Sequence, residues 1–513
     1  MTIKTTIEVV NMKKRYYSLV IPLMFVLSLL LAGQESFSQV YIDVVPGFST
    51  LNDAINNNTN PNAIFRLQRG SGAIYLLNGS IRNSMPLTIV AADGQGARPQ
   101  LIPGLGSGGV SDIAFRLKSN LTLKGIYVTA KDEGGAYLSQ IIRDQADSIR
   151  IYLYDCFLEN SGQSAIRTDN KDSKIYLINT TIRSNASDYA NGRGVDDRGV
   201  DMDTLYIQNC TFYNISSRCL RDGGGTLNYA FVDHNTFLNI GINLMDFGEC
   251  PRLVFTNNLV INSGFIGHAK SGTGTIISIQ PLSSSVYDGK KQSVEVHNNN
   301  FALDPACSSL YPDTVVALDN FNSQLKAMID SSGFDTTTNI SELVAFTSPP
   351  PSVASLVTAY WNDPLLSSST TAVGIRVQGD FDFGYSKDTK SFTAGTNSKP
   401  LGSLVWVDTT TVGIKEMMNR PLDFTLMQNY PNPFNPETII QYTVPYQSEV
   451  SLVVYNSLGQ VVKALVNGNE SSGLHTVRWN GTNEAGQKVT SGIYFYKLSA
   501  EDFSVIKKMT LLK

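Results

Sequence analysis

The chain has 513 residues, a length that suggests roughly three domains. Apolar residues make up 42% and charged residues 16%, so a large core is possible and a disordered polyelectrolyte or coiled coil is excluded. The formal charge of −4 excludes a whole-chain basic footprint, and no nucleic-acid partner is expected.

Lys13, Lys14 and Arg15 precede a short apolar run from Leu19 to Ala32, and Ser36-Phe37-Ser38 offers small residues to a signal peptidase. Residues 1–38 therefore read as a secretory signal peptide cut before Gln39. The run is shorter than the ~20 residues of a membrane span, and no later stretch is long and apolar enough, so no transmembrane segment is expected in the mature chain. The cysteines are Cys156, Cys210, Cys219, Cys250 and Cys307. They lack metal-type pair spacing and read as small buried apolar residues.

Seven segments then repeat one pattern: an alternating apolar run, an anchor of Gly, Asp, Asn or His, a small residue and a large apolar one. The anchors are Gly125, Asp155, Asn179, Asn209, His234, Asn257 and Asn298, spaced by 30, 24, 30, 25, 23 and 41 residues. Period-2 alternation in a repeat of this length predicts a right-handed parallel β-helix over residues 39–345. The last six anchors are expected to form a structural ladder at a bend, His234 among them. Cys156 and Cys210 would lie two coils apart with Thr180 between them, about 9–10 Å, too far for a disulfide. Thr50-Leu51-Asn52-Asp53 reads as a capping box opening a helix that closes the N-terminal end. Residues 320–415 are expected to hold the last coils, with a helix near Leu325–Ile329. Residues 346–423 are assigned to the C-terminal cap and linker.

Counting back from the anchors exposes a second column. Arg143, Arg167, Arg198 and Arg221 lie 12, 12, 11 and 13 residues before Asp155, Asn179, Asn209 and His234. Asp144, Asp169, Asp196, Asp197, Asp201 and Asp222 accompany them, and Asp246 takes the equivalent place before Asn257. Stacked guanidiniums repel unless neutralised, which leaves two readings. One is a surface salt-bridge network. The other is a groove for a polyanion, since arginine holds carboxylate or sulfate bidentately. Arg143, Arg167 and Tyr189 are then the substrate-binding candidates, and Tyr137 and Phe247 could also lend apolar faces. His268 and Lys270 lie in a loop after the Asn257 coil and read as solvent-exposed.

Residues 424–513 change character. Strands are predicted at Thr438–Val444, Val450–Tyr455, Val461–Val466, His475–Trp479, Ile493–Ser499 and Val505–Leu511, with turn signals at Asn456–Gly459, Asn480-Gly481 and Ala485-Gly486. This spacing predicts a small β-sandwich. The segments FTLMQNYPNPFNPETIIQYTVP (424–445), YNSLGQVV (455–462), GLHTVRWNGTNEAGQKVTSGIYFYKL (473–498) and KKMTLLK (507–513) resemble the C-terminal sorting domain of the type IX secretion system. That resemblance implies an Ig-like fold similar to the flagellar hook-capping protein's and a Gram-negative exporter of the Bacteroidetes–Chlorobi group. It also implies the type IX secretion machinery as partner. The cargo would be secreted, or anchored at the outer-membrane surface.

The middle of the chain resembles the pectate-lyase-like and chondroitinase-B-like β-helix proteins. The likeness rests on YIDVVPGFSTLNDAI (41–55), on the NxxF-type coils and on GTNSKPLGSLVWV (395–407). It implies an extracellular, anionic polysaccharide as partner and lyase chemistry, in which a base removes the proton alpha to a uronate carboxylate and a cation, often Ca²⁺, stabilises the intermediate. Lys171 or Lys174 with Arg198 fit the base and acid roles by position, and Arg221 joins Lys174 and Arg198 as a catalytic candidate. Asp169, Asp201 and Asp222 are the metal candidates, although the glutamate-rich calcium cluster of the chondroitinase-B group has no counterpart beside them. A glycoside hydrolase, with Asp201 and Asp222 as its carboxyl pair, is a weaker enzymatic reading. The alternative class is a non-catalytic carbohydrate-binding or adhesive solenoid, because fold alone does not fix function.

Overall fold

A computed structural model describes residues 40–105, 113–186, 191–221, 223–267, 274–283, 293–312, 318–332, 336–362, 375–407, 424–444, 448–471, 473–500 and 503–512. The proposed signal peptide, Tyr189, Asp222, His268 and Lys270 lie outside these residues.

The chain is all-β: a parallel β-solenoid followed by a small antiparallel sandwich. Three parallel sheets form the solenoid, here called A, B and C in the order the chain visits them in each coil. Sheets A and B have ten strands each and sheet C has nine. Alternation fixes the geometry: in sheet A, Ile151, Ile175, Leu205, Ala230, Leu253 and Val294 stand in register and point inward, and all are buried. Burying each large aliphatic side chain contributes about 1.5–3 kcal/mol, so these columns hold the coils together. Outside the same sheet, Tyr152 and Tyr176 stack at 4.7 Å, and Tyr206 stacks on Phe231 at 4.6 Å.

Each expected anchor sits at the corner between sheets A and B in left-handed conformation, with φ from 50° to 58° for Asp155, Asn179, Asn209, His234, Asn257 and Asn298. Asn and Asp tolerate that region better than other non-glycine residues, which explains the repeat. The ladder itself lies one residue later than expected. Asn235, Asn258, Asn299 and Asn339 point inward. Each of the first three donates its Nδ2 to the Oδ1 of the next, at 3.0 Å, and that same Oδ1 accepts its backbone N–H, at 2.9–3.0 Å. Cys156, Thr180 and Cys210 fill the same column in earlier coils, where the Cys156 N–H reaches the Thr180 hydroxyl. All five cysteines are buried free thiols, as the spacing of Cys156 and Cys210 predicts.

The solenoid begins three coils before the first repeat. In its first coil the helix Thr50–Asn56 takes the place of a sheet C strand. Leu51 of that helix joins the core, and its N-cap is Ser49, whose hydroxyl donates to Asp53. At the far end the helix Ser323–Ser332 inserts Leu325, Met328 and Ile329 into the core and closes the coil stack.

Residues 375–407 depart from the expected cap. They run back along sheet B as a strap. The reason is on the sheet: Tyr213, Leu238, Ile261 and Ala302 stand in register on its outer face and need cover. Phe383, Leu401 and Val344 pack on them. The strap also binds the corner column, through Ser403 Oγ to the Asn209 carbonyl at 2.9 Å, Ser403 N to the Thr236 hydroxyl at 2.9 Å and Thr396 N to Asn257 Oδ1 at 2.8 Å. Most corner side chains therefore bond to the strap or to other neighbours. Among the described residues the only bond between successive anchors runs from Asn209 to Asn179.

The C-terminal sandwich pairs a three-stranded and a four-stranded antiparallel sheet. The longest strands, Ser448–Asn456, Val461–Glu470, Gly492–Ala500 and Phe503–Leu511, contain the predicted ones. Trp479, Tyr496, Ile440 and Leu452 fill the space between the sheets.

Candidate functional site

Sheet C carries the arginine column. Strand pairing places Arg82, Arg116, Arg143, Arg167, Asp196, Arg221, Asp246 and Ser278 in one outward row. Each follows an inward apolar residue, such as Ile142, Ile166, Val195 or Leu220, so alternation turns it away from the core, although Asp196 and Ser278 are themselves buried. Arg143, Arg167 and Arg221 are thus brought together as expected.

Arg198 is not in the row. Asp196 holds its place and pairs with Arg221, while Arg198 lies in the following turn with φ 61°. The turn between sheets C and A has the same five residues here as in the neighbouring coils. Sheet A, however, carries a bulge where Ser173 and Lys174 pair with Met202 and Thr204, so the row position lies 13 residues before Asn209 and the counted one falls two residues past it. Arg82 and Arg116 extend the row by two coils that carry no corner Asn to count from. In their own strands, Ile81–Asn83 and Ile113–Leu117, the arginine nonetheless directly follows an apolar residue, Ile81 or Phe115.

The aspartates hold the guanidiniums in place. Asp169 accepts from Arg143 Nε at 2.5 Å and from Arg167 Nε at 2.9 Å. Asp196 accepts from Arg193 and Arg221, each at 2.9 Å. Asp246 accepts from Arg218 Nε at 2.7 Å. Burial holds the Arg193 guanidinium below its usual range, although Asp196 opposes the shift. Asp144, expected to pair with the column, is instead buried beneath it. Burial raises its carboxyl above the usual range against hydrogen bonds from the Asp169 amide, Asn170 and Ser173.

The other candidates are dispersed. Lys174 stands on the outer face of sheet A, between Arg150 and Thr204, with its ammonium 3.1 Å from Asp203. Lys171 lies 3.8 Å from Asp201 in the adjoining turn. Phe247 points into the core and offers no stacking face. The Tyr137 ring is covered by the Arg376 guanidinium at 3.9 Å. His234 is buried at the A–B corner, its Nδ1 2.8 Å from Asp233. Asp169 has both oxygens engaged by arginine, and among the described residues no three His, Cys, Asp or Glu side chains converge for a cation.

The FlgD Ig-like domain family matches residues 437–503, within the sandwich. No curated protein matches the chain. Among solved structures, the PL6 family alginate lyase AlyGC is 18% identical over 52% of this chain and 38% of its own, with a TM-score of 0.37. PorZ, described as an essential bacterial surface component of the type-IX secretion system of human oral-microbiomic Porphyromonas gingivalis, is 15% identical over 30% of this chain and 18% of its own, with a TM-score of 0.14. The chain thus spans well under half the length of either structure, and neither likeness assigns a role to a residue here. Among the described residues, no helix is long and apolar enough to cross a membrane.

Proposed function

We propose that the protein binds an anionic extracellular polysaccharide along the outer face of sheet C. One observation carries the reading: five arginines stand in register there against two aspartates. Neighbouring strands are about 4.8 Å apart, so a polymer laid across them meets one guanidinium after another. Each can take a carboxylate or sulfate bidentately. Asp169 and Asp196 orient the guanidiniums beforehand, which lowers the ordering cost of binding.

Binding without turnover suits the chemistry of this face better than cleavage. The described strands of sheet C contain no Lys, His or Tyr. Arginine stays protonated and makes a poor base. Cleavage by β-elimination rests on Lys171 and Lys174 at the neighbouring edge, where the Lys174 ammonium is engaged by Asp203 at 3.1 Å. We infer further that residues 1–38 and 424–513 serve export, the latter as a type IX sorting domain, and that the solenoid works outside the cell or on its surface.

The test is affinity electrophoresis and calorimetry of the mature chain with alginate, polygalacturonate and chondroitin sulfate, using dextran as the neutral control. At least one polyanion should bind, more weakly as salt rises. Arg167→Ala and Arg221→Ala should each weaken it about tenfold, the loss expected of one charge-assisted contact. Unchanged affinity in both variants overturns the reading. Accumulation of unsaturated uronate product, lost in Lys174→Ala, would establish the lyase instead.

A further inference from the structure

On the opposite side of the solenoid, the strap crosses sheet B and leaves a cavity of about 240 Å³. Its origin is a gap in one outward row. Phe157, Thr181 and Thr211 stand in register, and Thr181 is too small to fill the space between Phe157 and the strap's Trp406. The walls are held before any ligand arrives. The Trp406 indole N–H donates to the Thr211 hydroxyl at 2.7 Å. Phe157 stacks on Tyr127 at 5.4 Å and lies 4.8 Å from the Arg183 guanidinium. Phe381 meets Tyr213 edge-on at 5.9 Å.

Polar groups stand among these aromatic walls. Arg98 pairs with Asp155 Oδ1 at 2.5 Å. Asn179 accepts from Asn209 through Oδ1, and its amide N–H₂ remains as a donor. The charged linings balance: Arg98 and Arg183 face Asp155 and Asp380. The volume is below the roughly 300–1,000 Å³ of sites for drug-sized ligands, so it suits a single small ring.

We propose that this cavity binds one neutral pyranose unit. The apolar C–H faces of the sugar stack on Phe157, Phe381 and Trp406, and adjacent hydroxyls bridge the Asp155 carboxylate and the Arg98 and Asn179 donors. A uronate is disfavoured, because its carboxylate would face Asp155 and Asp380 in a partly dry site. The subsite is independent of the sheet C face and complements it, since one face takes charge and the other takes none.

The experiment is saturation-transfer NMR and calorimetry of the mature full-length protein. The probes are methyl β-D-glucopyranoside, methyl β-D-galactopyranoside and methyl α-D-mannopyranoside, with sodium D-glucuronate as the charged probe. At least one neutral glycoside should bind, with glucuronate at least about tenfold weaker. Binding should be indifferent to sodium chloride, unlike polyanion binding to sheet C, so the two readings fail separately. Thr181→Phe fills the cavity with a residue that strand surfaces accept and should abolish the signal. Asp155→Asn should weaken it about tenfold and carries the test if Thr181→Phe misfolds by circular dichroism. Absence of binding by all three neutral glycosides, or binding that survives in the folded variants, overturns the proposal.

Discussion

Arg167 and Arg183 belong to consecutive coils and both point away from the core, yet their surroundings differ. Arg183 on sheet B lies under the strap. Its Nε donates to Glu159 at 2.7 Å, and Nη1 donates to the Tyr213 hydroxyl and the Gly379 carbonyl, each at 2.7 Å. Its side chain is 9% exposed and that of Glu159 8%. Arg167 on sheet C has one carboxylate partner, Asp169, shared with Arg143, and stays open to solvent on one side. The same residue type thus serves architecture on one face and is available to a ligand on the other. What separates the two roles is cover, supplied by chain almost 200 residues downstream.

The largest test of this contrast is Arg183→Ala. It leaves Glu159 buried without its partner and should cost about 3–5 kcal/mol in urea unfolding. Arg167→Ala should cost less, about 1 kcal/mol, because the pair is only partly buried and Asp169 keeps Arg143 as a partner. Equal costs would erase the distinction between the faces. Asn258→Ala probes the interior that both faces share. It strands the Asn235 backbone N–H and removes one bond each from the Asn235 amide, Asn299 Oδ1 and the Val232 carbonyl. Asn299 Oδ1 keeps the backbone N–H of residue 258, and the Asn235 amide keeps the Ile207 carbonyl. The substitution should cost about 1–3 kcal/mol, the cost of one stranded group.

Two buried aspartates give opposite signs with pH. Burial acts to raise Asp233, but His234, Asn257 and Gln208 outweigh it and hold the carboxylate below its ordinary 3.8. Its stabilisation is therefore present above that value and is lost as pH falls below it, so Asp233→Asn should flatten the acid limb of a stability–pH curve. Asp144 is raised above 3.8 by burial. The folded state holds that proton more tightly, so its contribution is present at low pH and fades as pH rises past 3.8. Asp144→Asn should remove that decline. The smallest expected effect concerns the thiols. Burial pushes Cys156 and Cys210 up to about 12 and Cys307 to about 11. None should react with iodoacetamide until the protein unfolds, and dithiothreitol should leave the melting temperature unchanged.

The sequence made the coils legible because left-handed corners select Asn, Asp or Gly, and that preference survives changes in loop length. It also revealed the sandwich strands nearly to their ends, since turn residues bound each one. Register from the corner back to sheet C was less legible: Arg198 and Asp196 are two residues apart, and a count from the anchor lands wrongly when the intervening sheet A strand carries a bulge. The first three coils lack corner asparagines, so the repeat does not announce them or Arg82 and Arg116. The inner ladder sits beside the visible anchors, and residue type alone could not tell an asparagine at a bend from one inside. Phe247 looked like a binding ring until strand alternation turned it inward. The strap left one trace that went unread. Runs such as Thr236–Ile240 and Leu259–Ser263 are apolar on both faces, the mark of a strand covered on both sides.

Stacked-coil proteins ordinarily gain or lose whole repeats in evolution, because each unit touches only its neighbours. Here residues 396–406 act as a gauge. Their bonding groups match Asn257, Thr236 and Asn209 on three consecutive turns. Excising one turn would put every downstream peg one hole out of place. The central part of this molecule is therefore a fixed-length object, and growth is accommodated at its N-terminal end, where among the described residues no hydrogen bond from 396–406 sets the count.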